Sequence, residues 1–164
     1  WIGYHKNVWG LTACDGPADI TRPFGGEERQ FRSYSARGAG LDYINDDGPV
    51  APTAAGGSIP FAPEICIPAL QAMQLRYGEA LFTKYGFLDS INPSFTYDDV
   101  ELKHGQLVDG IGWVNDDYLG IDQGPILLMA EIYRSELIWN VLKRSPYFRR
   151  GLERAGFADG WLVT

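Results

Sequence analysis

The sequence predicts a mainly helical, all-α chain on three observations. Apolar residues recur at helical spacing over residues 65–77 and again over about 123–143. Both stretches are bounded by helix start and stop signals. No stretch alternates polar and apolar residues convincingly enough to read as a strand.

Taken in order, residues 1–60 are rich in breakers: Asp15-Gly16-Pro17, Phe24-Gly25-Gly26, Gly38-Ala39-Gly40 and Asp46-Asp47-Gly48-Pro49. So long a run of turns in a compact domain is expected to be functional, or incomplete without a partner segment. Ala62-Pro63-Glu64 opens the first helix, with Pro63 near its first turn and Ile65, Ala69, Met73 and Tyr77 as its apolar set. A shorter helical piece is expected over 78–84, stopped at Tyr85-Gly86. The segment 87–118 returns to loop, with Asn92-Pro93 as a turn marker. The strongest helix covers about 123–143 and is stopped by Pro146. Apolar on nearly every face, it is expected to be deeply buried. Ser145-Pro146 then caps a last helix to about Ala155, ended by Gly156.

The 164 residues are enough for one domain, and 45% apolar with 13% aromatic is ample for a core. A net charge of −7 argues against a nucleic-acid partner, and Arg149, Arg150 and Arg154 read as one exposed helix face. Charged residues interrupt the longest apolar run, so no membrane insertion is expected. Because the chain starts at Trp1, without a methionine or signal peptide, it is expected to be a piece of something longer. Cys14 and Cys66 have no metal-ligand spacing, and only His5 and His104 could join them, so no metal site is expected. A disulfide between them and two free thiols both stay open. Asp46-Asp47-Gly48 suggests a calcium loop, but EF-hand spacing would put Tyr43 first and Ala54 last, where neither can ligate.

The candidate chemistry lies in carboxylates beside turn glycines and aromatics. Asp122, in Leu119-Gly-Ile-Asp-Gln-Gly-Pro125, sits at the mouth of the strongest helix, where Pro125 suits the first helical position. A rigid acid near low-dielectric surroundings suits acid–base chemistry, and capping of the helix is the alternative reading. Asp15, Glu64 and Asp89 occur in similar settings, and Asp116 and Asp117 follow Trp113. Each has a structural reading as well. Asp15 can nucleate a turn, Glu64 can answer the helix dipole, and Asp89 can cap. Glu131 is expected to pair with Arg134 or Ser135 on its own helix. Carboxylates among loop aromatics such as Trp9, Tyr34, Tyr85, Trp113 and Tyr118 are what a carbohydrate cleft needs, since sugar faces stack on rings and hydroxyls donate to acids. Glycoside hydrolysis also needs one protonated and one ionised carboxyl.

Six motifs in this order resemble a known family. They are Val8-Trp-Gly-Leu-Thr-Ala-Cys-Asp-Gly-Pro17, Asp47-Gly-Pro-Val-Ala-Pro-Thr-Ala-Ala55, Ile59-Pro-Phe-Ala-Pro-Glu64, Tyr85-Gly-Phe-Leu-Asp89, Tyr118-Leu-Gly-Ile-Asp-Gln-Gly-Pro125 and Arg149-Arg-Gly-Leu-Glu-Arg-Ala-Gly-Phe157. Together they resemble the bacterial glycoamylase-like domain, whose relatives include endo-β-1,2-glucanases and the cyclising domain of cyclic β-1,2-glucan synthases. The resemblance implies an (α/α)6 toroid of which this chain is the C-terminal half, since twelve helices need roughly twice this length or more. It also implies an inverting glycoside hydrolase acting on a β-glucan, most simply β-1,2-linked, outside the cytoplasm (periplasmic or extracellular), with no cofactor.

Within that reading Asp122 is the base, Asp15 and Asp89 bind sugar or share acid–base duty, and the general acid is expected upstream of Trp1. Gln123 and Glu64 would bind hydroxyls, while Trp9, Trp113 and Tyr118 would stack on rings. The expected partners are an oligo- or polysaccharide and the missing N-terminal half of the domain. The cyclising branch has His in place of Asp122, and Cys14 stands where the family pattern has Ser. Transglycosylation of the cyclising kind and a non-catalytic glucan-binding module are the alternatives; the number of acids held on turns counts against the module.

Overall fold

The computed structural model describes residues 2–163. It corrects the all-α expectation: the chain is mixed, with five α-helices and eleven short strands in small antiparallel sheets among the described residues. The toroid reading falls with it.

The N-terminal third, expected as loop, is a series of hairpins. β1 (Ala13–Asp15) pairs with β4 (Tyr34–Ala36), β2 (Ile20–Phe24) with β3 (Glu27–Phe31), and β5 (Gly38–Ala39) with β6 (Ile44–Asn45). The breakers between them are the turns. Gly25 and Gly26 both have positive φ, 62° and 90°, the geometry of a two-residue turn whose twist matches the flanking strands. These strands run two to five residues, too short for a period-two pattern to declare itself.

α1 (Pro52–Gly56) follows, then α2 (Pro63–Tyr77), which lies where the sequence places it and buries Cys66, Ala69, Met73 and Tyr77. The expected helix at 78–84 is instead a 3-10 turn over Gly78–Ala80 leading into the hairpin of β7 (Phe82–Thr83) and β8 (Gly86–Phe87). β9 (Ile91–Asn92), β10 (Gln106–Val108) and β11 (Gly112–Val114) form a three-stranded sheet with β11 in the middle.

The long C-terminal helix is broken. α3 (Gly120–Ser135) and α4 (Leu137–Lys143) meet at Glu136, whose φ of 54° is left-handed. α3 begins before Gln123, so Pro125 lies inside it rather than at its first position. Nor is α3 deeply buried in this chain: Asp122 and Ile132 are buried, whereas Leu127, Leu128 and Tyr133 are exposed. α5 (Pro146–Arg154) ends as expected before Gly156, at φ 89°.

Two apolar clusters hold these elements. The larger joins Val8, Val50, Met73, Leu81 and Ile91 across α2 and the surrounding loops. The smaller is Phe31, Phe95 and Trp113, with the Phe31 and Phe95 rings edge to face at 5.0 Å. α1 packs against α3 so closely that a Cβ on Gly56 would meet Ile126 Cγ1 at 2.6 Å. The same contact holds the first turn of α3 against α1, where Thr53 Oγ1 donates to the Asp122 carbonyl. No helix among the described residues is long and apolar enough to cross a membrane.

Candidate active site

Three acids expected from separate motifs come together. Asp15 ends β1, Asp89 follows the β7–β8 hairpin, and Asp122 lies in the first turn of α3. Asp89 is the centre of the group. Its Oδ2 accepts hydrogen bonds from the Asp15 backbone N–H at 2.8 Å, the Ser90 hydroxyl at 3.0 Å and the Asn115 Nδ2 at 3.2 Å. The same Asn115 amide nitrogen reaches Asp15 Oδ2 at 3.3 Å. Asp122 is tied through its backbone, whose carbonyl accepts from Thr53 Oγ1 of α1 at 3.3 Å.

The carboxyls of Asp89 and Asp122 lie within hydrogen-bonding reach of each other. One buried oxygen on each, Asp89 Oδ1 and Asp122 Oδ2, has no protein donor. Two ionised carboxylates would repel at that range, so a proton held between them resolves both problems. Burial first, then the charge of Asp89, pushes Asp122 up to about 7. Burial also raises Asp89, against the opposing pull of the Asp15 N–H and the Ser90 hydroxyl. Asp89 holds three donors on one oxygen and Asp122 has no comparable set, so the shared proton belongs mainly to Asp122.

Both acids open into a cavity of about 370 Å³, walled by Thr12, Cys14, Tyr34, Thr53, Leu119, Ile121 and Pro125, among others. Beneath it, a buried Arg37–Asp47 ion pair braces β1. Arg37 also donates to the Cys14 carbonyl, and Asp47 accepts the Arg32 N–H at 2.9 Å. Cys14 and Cys66 are both free and buried. Burial pushes the Cys14 thiol up to about 12, which leaves it a poor nucleophile.

The other expected residues sit elsewhere. Asp15 does not line the cavity; its carboxylate lies beside His104 and Asp117. Trp113 is fully buried in the smaller core, where its Nε1 donates to the His104 carbonyl at 2.7 Å, so it offers no face to a sugar. Gln123 spends its amide on the backbone, Nε2 donating to the Phe87 carbonyl at 2.6 Å, and so locks α3 to β8. Trp9 is half-buried against the larger core. Glu64 is exposed in the first turn of α2, off the cavity wall. Tyr118 meets Tyr85 edge to face at 5.6 Å and lines a second cavity of about 380 Å³ with Glu79, Lys84, Gln106 and Asp116.

The nearest approach to a metal-ligand set among the described residues is Asp15, His104 and Asp117, with one donor atom each within 4.8 Å of one another. Exposed acids often gather in this way without an ion, and the cluster is assigned no role. Tyr34, expected among the cleft aromatics, does line the cavity. Sequence reading missed Asn115 and Arg37, which share no motif signal with the acids. Asn115 had one available clue, in standing two residues after Trp113 inside an otherwise acidic loop.

Comparison with known proteins shows the family. Residues 1–146 match the family described as "putative glucoamylase". The chain belongs to that family. It is 27% identical over 154 residues to an exo β-1,2-glucooligosaccharide sophorohydrolase (non-reducing end) of Parabacteroides distasonis, covering 94% of this chain and 17% of that protein. Among solved structures, it is similar to an endo-β-1,2-glucanase from Chitinophaga pinensis in complex with sophorotriose and glucose, at 30% identity and a TM-score of 0.69. It is also similar to a "putative glucoamylase" from Bacteroides uniformis, at 33% identity and a TM-score of 0.68. Each of these two alignments covers 98% of this chain and 31% of the other. The chain thus spans less than a third of these relatives.

Proposed function

We propose that this chain forms part of a glycoside hydrolase that cleaves β-1,2-glucan by inversion, with Asp122 as the proton acceptor for the attacking water. The Asp89–Asp122 pair carries the reading. A general base is most effective when its pKa lies near the working pH, and a carboxyl raised to about 7 has that property. Asp89 beside it accepts donors from Asp15, Ser90 and Asn115, which favour its ionised form against burial. The cavity wall of Tyr34, Leu119 and Ile121 gives the apolar surface on which a sugar face rests.

Inverting enzymes separate acid and base by about 6.5–9.5 Å to leave room for water. Asp89 and Asp122 are close enough to share a proton, so they act as one unit, and the general acid comes from another segment of the parent protein. The named activities of the Parabacteroides and Chitinophaga relatives support β-1,2-glucan as substrate. A polymeric glucan substrate also suits a site outside the cytoplasm, in the periplasm or at the cell exterior.

The test is to incubate the full-length parent with linear β-1,2-glucan, laminarin, cellulose oligomers and starch, reading reducing ends and the anomeric signals of products. Short β-1,2-linked oligosaccharides of inverted configuration are expected. Release of sugar from one of the other three polymers alone overturns the substrate, and retained or cyclic products overturn the mechanism.

A further inference from the structure

We propose that Asn115 is the positioning residue of the acid group, fixing which carboxyl carries its proton. The inference rests on the acid–base reading of Asp89 and Asp122. Asn115 is buried directly after β11 and uses its whole side-chain amide. Nδ2 donates to Asp89 Oδ2 at 3.2 Å and to Asp15 Oδ2 at 3.3 Å, while Oδ1 accepts the Asp117 backbone N–H at 2.7 Å. Its own backbone N–H donates to the Ser90 carbonyl at 3.0 Å, which pins the residue to the segment bearing Asp89.

The amide therefore cannot turn over. A flip would point NH2 at the Asp117 N–H and set the carbonyl oxygen against two carboxylates, exchanging three favourable contacts for three repulsive ones. As a fixed donor to Asp89, Asn115 favours its ionised form and leaves Asp122 to hold the proton. The other charged or titratable groups around it are the Cys14 thiol, which lines the cavity with Asp89 and Asp122, and Arg37, which is engaged by Asp47 and the Cys14 carbonyl. His104 and Asp117 lie beside Asp15. None of them supplies the donor that Asn115 gives to both carboxylates.

The experiment compares Asn115→Asp and Asn115→Ser with wild type in the full-length parent, measuring kcat on β-1,2-glucan against pH. Asn115→Asp replaces the bridging NH2 with a third like charge, so the acid limb should move up by about one pH unit or more. Asn115→Ser keeps at most one donor and should move the limb in the same direction by less. KM should change little, since Asn115 does not line the cavity. Loss of kcat or stability with the limb unmoved overturns the proposal.

Failure of the hydrolase reading would appear separately, as a wild-type parent inert on β-1,2-glucan. In that event the pH dependence of Tm in the same variants decides the matter. An upward shift of the pH at which Tm falls supports the role of Asn115, and unchanged curves overturn it. If Asn115→Asp does not fold, the Asn115→Ser curve carries the same decision.

Discussion

Asp122 has burial on one side and a second carboxyl on the other, and both oppose its ionisation. Asn in its place removes the exchangeable proton while keeping the volume. Turnover of the parent enzyme should therefore fall by about 10²–10⁴-fold in Asp122→Asn, the usual share of general acid–base catalysis, and near-wild-type kcat would remove Asp122 from the role. Asp89→Asn tests the coupling instead. The charge of Asp89 is among the causes holding Asp122 up, so its loss lowers the Asp122 pKa and the acid limb of the kcat profile moves to lower pH. A limb that stays in place would mean the two acids are not coupled. The same shift has a stability signature. Asp122 binds its proton more tightly folded than unfolded, so its contribution is complete below about pH 4 and is lost as pH rises to about 7. The Tm of Asp122→Asn should accordingly vary less over that window than that of wild type. At this scale the acids could be singled out in the sequence because they stood near turn glycines and prolines that mark loop ends. It gave poor guidance on the aromatics. Trp113 stands in the same kind of loop sequence as Tyr118, yet one ring is sealed in the core and the other reaches a cavity. Only tertiary packing separates them.

Helices and strands differed in how well they could be read. α2 and α5 have prolines at their starts and enough turns to express a period, and they lie where expected. The hairpins carry their information in pairing between strands of two to five residues, which a single-chain pattern cannot hold. The Gly25-Gly26 turn between β2 and β3 was the one local signal. α3 and α4 were read as one helix because both are apolar and no Gly or Pro marks the break; the left-handed residue is Glu136. The α1–α3 contact is what joins element to site. Gly56→Ala would drive a methyl group into Ile126, whose Cβ lies 3.3 Å from the new atom and cannot rotate away. Overpacking of this kind costs about 1–3 kcal/mol, so a clear loss of stability is expected in denaturant unfolding. Ile126→Ala made together with Gly56→Ala should cost less than the sum of the two single changes. Strict additivity would show that α1 and α3 do not press on each other there.

On the scale of the whole molecule, the apolar surface is distributed in a way that a self-contained domain avoids. Leu127 and Tyr133 on α3, Leu137 and Val141 on α4, and Tyr147 and Phe148 on α5 are all exposed. Monomeric proteins rarely leave large contiguous apolar patches open to water. The solved relatives are more than three times as long as this chain, which covers 31% of each of the two compared above. That length is enough for further segments to cover these helices. Covering them would also draw α3 into a deeper interior, the environment its composition suggested, and strengthen the low-dielectric surroundings that raise Asp122. Leu127→Lys combined with Val141→Lys should distinguish a covered face from an open one. In the isolated 164-residue chain the pair of changes should reduce self-association in sedimentation and dye binding, because the charges replace exposed apolar groups. In the full-length parent the same pair should lower Tm, because two lysines would be forced into an interface without partners. A parent whose Tm is unchanged would mean that these helices face water there too, and that the rest of the enzyme closes over the acids from another side.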